Sequence, residues 1–324
     1  MGYRAVVFIV LGAGALAGTL AVVVRWLVPV VVPQMSARRA GALRRWGRQI
    51  ALLIPLTGLL VPGHAGAVRA DALVQVAPHR AGLRPGRSGP PLLGYLARPA
   101  GPGPFPAVVE LHGCGGMSAH DVALAAMLRS WGYVALVLDS LGGANTCQHS
   151  GGALGEAFDA YASLRYLSGR AFVDRRRIAV LGESMGGVAV LQIVERGLME
   201  QLFPEHFRAA VAYYPQCRYA SGIMIVPTLI LVGDRDDWAP AQACRAMLAR
   251  RAGKGAPVRL VVLRGATHAF DFPEPRRRYL GHLLEYDPDA TRAAAAQARA
   301  FLQAAFAARP ALPPARPSGT VAPK

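Results

Sequence analysis

The chain has 324 residues, and 36 lysines and arginines against 19 acids give it a formal charge of +17, a balance that raises nucleic acid as a partner. The placement of the cations argues against that. Seven arginines and no acid fall in the first 67 residues, so subtracting their +7 leaves +10 for the rest, where the cations are scattered without a stripe. A basic face can still attract anionic substrates or lipid head groups.

Residues 5 to 24 carry no charged side chain and are long enough to cross a bilayer as a helix of about 20 residues. A second pattern follows. Arg38, Arg39, Arg44, Arg45 and Arg48 precede the apolar run Ile50 to Val61, and Ala65-Gly66-Ala67 supplies small residues for cleavage before Val68. Basic, apolar and small in that order is the pattern of a secretory signal peptide. Two readings stand: residues 1–34 are a membrane-anchoring segment, or the true start is Met35. In the first, the positive-inside rule keeps the five arginines cytoplasmic and the chain beyond residue 62 is still exported. Both readings place the domain of residues 68–308 in the periplasm or outside the cell, which also removes nucleic acid as a partner. Arg44-Arg45-Trp46 has the twin arginines of a second export route, although its flanks fit that route poorly.

After the turn-rich stretch Pro85 to Pro91, apolar runs near residues 107–111, 133–138, 178–182, 208–213, 226–232 and 258–263 alternate with helical patterns. Such alternation predicts a mostly parallel sheet covered by helices on both faces. About 220 residues suffice for one core, and no internal repeat is present. Residues 309–324, rich in proline and without periodicity, are predicted to be a disordered tail.

Four loops that follow these strands carry the chemistry. Leu111 runs into His112-Gly113-Cys114-Gly115-Gly116, a glycine-rich loop whose amides can face a developing oxyanion. Ile178-Ala179-Val180-Leu181 runs into Gly182-Glu183-Ser184-Met185-Gly186 and then a helical stretch, the strand, turn and helix that hold a serine nucleophile at the tip of a sheet. The loop Gly233-Asp234-Arg235-Asp236-Asp237 offers several carboxylates, and Gly265-Ala266-Thr267-His268 offers an imidazole. A serine hydroxyl is a poor nucleophile until a base takes its proton, and a histidine holds the right tautomer only when a carboxylate accepts its other N–H. Ser184 is the candidate nucleophile and His268 the candidate base. The amides of Met185 and Cys114 are the candidate oxyanion donors, with Gly113 as the alternative to Cys114; a donor of this kind is worth roughly 3 to 4 kcal/mol. This chemistry requires no metal and no cofactor.

With these motifs in place, the run from Leu92 to about Leu302 resembles the dienelactone hydrolase family of the α/β-hydrolase superfamily. The matching pieces are Leu111 to Gly116, Leu138-Asp139-Ser140, Phe172-Val173-Asp174, Gly182 to Gly187, Tyr214-Pro215, Gly233 to Pro240 and Gly265 to Asp271. The resemblance implies an α/β-hydrolase fold and selects Asp236 as the acid, three residues after the glycine and four before the proline. It also shows two departures. The best-known bacterial members use cysteine as nucleophile where this chain has Ser184, which favours ordinary ester hydrolysis. The dienelactone-cleaving members carry an arginine four positions after the histidine, where this chain has Phe272.

In an oxidising compartment the four cysteines allow three pairings, and their spacings match no zinc site. Cys217 with Cys244, after neighbouring strands, is the favoured pair; Cys114 with Cys147 is the second, and four separate thiols remain an alternative. His112, Trp238 and Phe270 adjoin the triad and are expected to line the pocket, with the loop from Ser140 to Gly152 over its mouth; His112 reads equally as a structural residue that pins the glycine loop by hydrogen bonds. His120, His149, His206 and His282 read as surface or packing residues, and Glu183 as an exposed turn residue. The expected partner is a small or medium carboxylic ester or lactone, cleaved through an acyl-enzyme. Acyl transfer to an alcohol and peptide cleavage use the same machinery, and a catalytically silent binding module is a third class.

Overall fold

The computed structural model describes residues 71–78, 91–140 and 152–308. The apolar segment 5–24, the export pattern within 35–67, most of the turn-rich stretch before residue 91, the loop 141–151 with Cys147 and His149, and the tail lie outside the described residues. In chain order the strands of the main sheet are β1 Ala72–Val76, β2 Leu92–Ala97, β3 Phe105–Leu111, β4 Val134–Leu138, β5 Val173–Glu183, β6 Ala210–Tyr213, β7 Thr228–Gly233 and β8 Val258–Leu263. They lie side by side as β1-β2-β4-β3-β5-β6-β7-β8. From β4 to β8 every pairing is parallel, and β1 and β2 add an antiparallel edge. All six apolar runs become strands of the parallel block.

Side chains alternate across the pleat, so each buried strand feeds two cores. Ala107, Val109 and Leu111 of β3 join Ile178 and Val180 of β5 on one face, while Val108 joins Ala179 and Leu181 on the other. Helices α2 (Gly152–Ser168), α3 (Met185–Val194) and α5 (Ala241–Arg251) cover the first face; α1 (Ala119–Ser130) and α6 (Pro288–Ala307) cover the second. The short α4 (Leu198–Leu202) follows α3. Helix α6 buries Ala290, Ala294, Ala298 and Leu302, a four-residue spacing that puts one stripe against the sheet, and Asp287 caps its first amides. Small alanines at that stripe let a long helix lie close to the strands.

Two elements have no counterpart in the sequence reading. The β1–β2 edge is one: Leu73 and Leu93 are exposed, and Gly94 sits where a Cβ would meet the Leu138 side chain at 2.7 Å, so β2 lacks a continuous apolar run. The other is a hairpin of two three-residue strands, β9 (Arg277–Tyr279) and β10 (His282–Leu284), too short and too arginine-rich to show strand patterning.

Cys217, in a 3₁₀ turn after β6, and Cys244, on α5, form the favoured disulfide, with an S–S distance of 2.09 Å across 27 residues of sequence. Of the second expected pair, Cys147 lies outside the described residues. Closing a loop of this length stabilises a chain by about 3 to 4 kcal/mol in the loop-entropy account. Replacing both Cys217 and Cys244 by alanine is expected to lower stability by that order, read as a drop in the denaturant midpoint.

Candidate active site

Parallel register brings the chemistry to one end of the sheet. Leu111 pairs with Gly182, Glu183 with Tyr213, and Gly233 with Leu263, so the loops after β3, β5, β7 and β8 emerge side by side at the strands' carboxyl ends. At the centre, Ser184 joins β5 to α3 with φ 51° and ψ −109°, a strained conformation for a residue with a side chain. The flanking glycines make the turn feasible. A Cβ on Gly186 would lie 2.1 Å from the carbonyl oxygen of Leu111, and one on Gly182 would lie 2.4 Å from that of Gly186.

Ser184 Oγ lies 2.9 Å from His268 Nε2, and His268 Nδ1 lies 2.8 Å from Asp236 Oδ2. The other oxygen of Asp236 accepts the amides of Trp238 and Ala239 at 2.9 and 2.7 Å, which fixes the carboxylate before α5 begins. The neighbouring acids do different work. Asp234 accepts the Gly265 amide at 2.7 Å and so ties the acid loop to the histidine loop. Asp237 turns outward to His282, at 3.3 Å, and to the Leu283 amide. His268 is buried between the rings of Trp238 and Tyr214, with centroids 4.9 and 4.8 Å away. The glycine loop passes close to the serine: a Cβ on Gly113 would be 3.9 Å from Ser184 Cβ. Cys114 lies in that loop and lines the cleft, while Met185 opens α3, so the two candidate donors belong to different elements.

A cleft of about 360 Å³ opens over Ser184, lined by Cys114, Tyr214, Trp238, Phe272 and Tyr279 among others. Trp238 is among the lining residues, Phe270 is not, and His112 takes the structural one of its two expected roles. His112 is fully buried beneath the glycine loop. Its Nδ1 donates to the Gly113 carbonyl at 2.8 Å and faces Glu156 at 3.0 Å, while its Nε2 accepts the Ser140 amide at 3.2 Å. Through these bonds His112 pins two loops. Phe270 is also fully buried, packed against Tyr214 at 5.3 Å, because the positive φ of Ala269 turns the chain back into the core after His268. In their place Tyr214, Phe272 and the β9–β10 hairpin supply the wall. Glu183 is likewise buried rather than exposed, and His120 pairs with it.

Several buried groups near this end keep protons that they would shed in water. Burial pushes Glu110 well above the usual carboxylate range, with Asp121 and Glu183 adding to it. Burial raises Glu156 to about 7, against the pull of His112, and raises Glu183, with Asp271 adding to it. For His120 burial acts downward, but Glu183 and Asp271 outweigh it and raise the ring to about 9. All four have folded pKa values above their unfolded ones, so their stabilisation is complete at low pH and is lost as pH rises through the folded values. The unfolding midpoint is expected to fall from about pH 5 to pH 9 in thermal melts, and Glu156→Gln is expected to flatten the part below about pH 7.

The model of the dienelactone hydrolase family matches residues 92–306. A Bradyrhizobium protein named as a probable 2-oxo-3-(5-oxofuran-2-ylidene)propanoate lactonase is 27% identical over 209 residues, covering 57% of this chain and 81% of the relative. An uncharacterized protein of Mycobacterium tuberculosis is 30% identical over 185 residues, 51% of this chain and 64% of its own. Among solved structures, Thermogutta terrifontis esterase 2, phosphonylated by cyclosarin, superposes with a TM-score of 0.56 at 20% identity over 74% of this chain and 96% of that one, a likeness of fold.

Proposed function

The chain belongs to the dienelactone hydrolase family and has its α/β-hydrolase fold, and we propose that this hydrolase of ester or lactone type works as a serine carboxylesterase through an acyl-enzyme. The observation that carries the reading is the unbroken line of hydrogen bonds from Ser184 Oγ through His268 to Asp236, with the serine on a strained turn. His268 Nε2 takes the hydroxyl proton as Oγ attacks the carbonyl carbon, and Asp236 stabilises the imidazolium that results. The amides of Cys114 and Met185 receive the oxyanion. His268 then protonates the departing alkoxide, and a water activated by the same nitrogen hydrolyses the acyl-serine. Phe272 in the cleft wall puts an apolar ring where the dienelactone-cleaving members carry arginine, which favours small uncharged esters over dienelactone.

Release of p-nitrophenol from acetate and butyrate esters tests this directly. Ser184→Ala and His268→Ala are each expected to lose about a thousandfold or more in kcat, and Ser184→Ala to lose labelling by a fluorophosphonate. Retention of activity by Ser184→Ala would exclude the assignment.

We also propose that the catalytic domain is exported. The support is the signal-like order of residues 35–67 together with the Cys217–Cys244 disulfide, a bond that persists in oxidising compartments. Among the described residues no helix is long and apolar enough to cross a membrane, and residues 5–24 lie outside them. Expression in a bacterial host with periplasmic fractionation is expected to give a protein whose amino terminus is Val68; an uncleaved cytosolic product would refute export.

A further inference from the structure

A second set of ionisable groups lies beside the nucleophile and has no part in the triad. Glu183, the residue before Ser184, points its carboxylate at His120 Nε2, which meets its two oxygens at 3.0 and 3.1 Å. Both side chains are nearly sealed from water, with exposures of 4% and 11%. His120 is the second residue of α1, the helix that starts directly after the glycine loop, and its ring packs on Phe272 at 4.5 Å, four residues beyond His268. One imidazole thus contacts the nucleophile turn and the wall that follows the histidine, and it stands on the helix that continues the glycine loop. Asp271 closes the cluster: the nearest polar atoms of His120, Glu183 and Asp271 all lie within 4.8 Å of one another. Asp271 in turn accepts the Tyr214 hydroxyl at 2.7 Å, and the Tyr214 ring packs edge-on against His268.

Such a pair costs desolvation and is weak evidence for stability by itself. Its placement gives it another use. The two candidate oxyanion donors belong to different elements, Met185 to the nucleophile turn and Cys114 to the glycine loop, so their spacing depends on what ties those elements together. We propose that His120 and Glu183 are positioning residues that hold the glycine loop in register with the nucleophile turn, and so set the geometry of the oxyanion site. The assignment rests on Ser184 being the nucleophile. It predicts an effect on the chemical step more than on substrate binding: Glu183 borders the cleft, but the donor spacing that the pair sets acts on the oxyanion of the transition state.

The test compares the full chain as wild type, His120→Ala, His120→Gln, Glu183→Gln and Ser184→Ala, with kcat and KM on p-nitrophenyl butyrate and a thermal melt for each. His120→Ala is expected to lose about 10- to 100-fold in kcat, the scale of a misplacement near one ångström, with KM within about twofold. His120→Gln keeps a donor at the same reach and is expected to recover most of that loss at pH 7. The groups facing His120 are Glu183 on the turn, Asp271 on the histidine loop, Asp121 on its own helix and, through Glu183, Glu110 at the end of β3. Loss of the imidazolium proton near pH 9 weakens its hold on Glu183, so wild-type kcat is expected to fall there and the non-titrating His120→Gln to lack that limb. A folded His120→Ala with unchanged kcat beside an inert Ser184→Ala would overturn the proposal and leave the proposed function standing. So would a change confined to KM, or a high-pH limb that persists in His120→Gln. An active Ser184→Ala would instead remove the nucleophile assignment itself. Should His120→Ala fail to fold, His120→Gln and Glu183→Gln carry the same readouts.

Discussion

The site depends on how closely two backbones approach where β3 and β5 end. The carbonyl of Leu111 lies so near Gly186 that a methyl group there would stand 2.1 Å from its oxygen, and Gly182 has the same intimacy with Gly186 one turn away. This contact lets α3 start directly behind Ser184 while the glycine loop runs past its front. Larger residues would push the helix off the strand and carry the first amides of α3 away from the loop. The strain at Ser184 is held by parallel pairing on both sides of β5 and by the fully buried residues that alternate along it. A rigid sheet fixes the turn, and the turn fixes the serine.

Around that contact the protein gathers an unusual amount of buried acid. Glu110, Asp121, Glu156, Glu183, Asp236 and Asp271 are all buried. Each has a different answer to the cost of burial. Asp236 accepts two backbone amides and the histidine, Asp121 caps α1 through Ser118, and Asp271 takes a tyrosine hydroxyl. Glu156 and Glu183 face imidazoles, and Glu110 is relieved by keeping its proton. Most of these arrangements fasten a loop to the sheet or to its neighbour. Polar burial is thus concentrated where loops must be held still, while the rest of the sheet is covered by aliphatic side chains.

The parts of the site that could be recognised in the linear chain share one property: each follows its strand immediately. Ser184 and His268 are named by a strand and a nearby glycine, Asp236 is singled out from its neighbours by the family resemblance, and the parallel register turns these positions into proximity. Residues whose role depends on a distant partner were read wrongly or passed over. Glu183 and His120 are 63 positions apart, and Tyr214 and Asp271 are 57 apart, so neither pair has a local signature. His112 and Phe270 adjoin triad motifs in sequence yet face away from the cleft, because one is drawn under the loop by Glu156 and Ser140 and the other is turned inward at Ala269. The hairpin that supplies Tyr279 to the cleft is too short to carry periodicity.

The sequence by itself determined the mostly parallel sheet, the order of its strands along the chain, the family, and the turn, acid and histidine motifs, because hydrophobic period and glycine placement are local properties of the chain. Tertiary structure decided which side of each loop faces the cleft, which acids are paired and which keep a proton, and what forms the pocket wall. Those outcomes depend on packing between residues far apart in the chain and on the loss of water around them, and no local pattern records either.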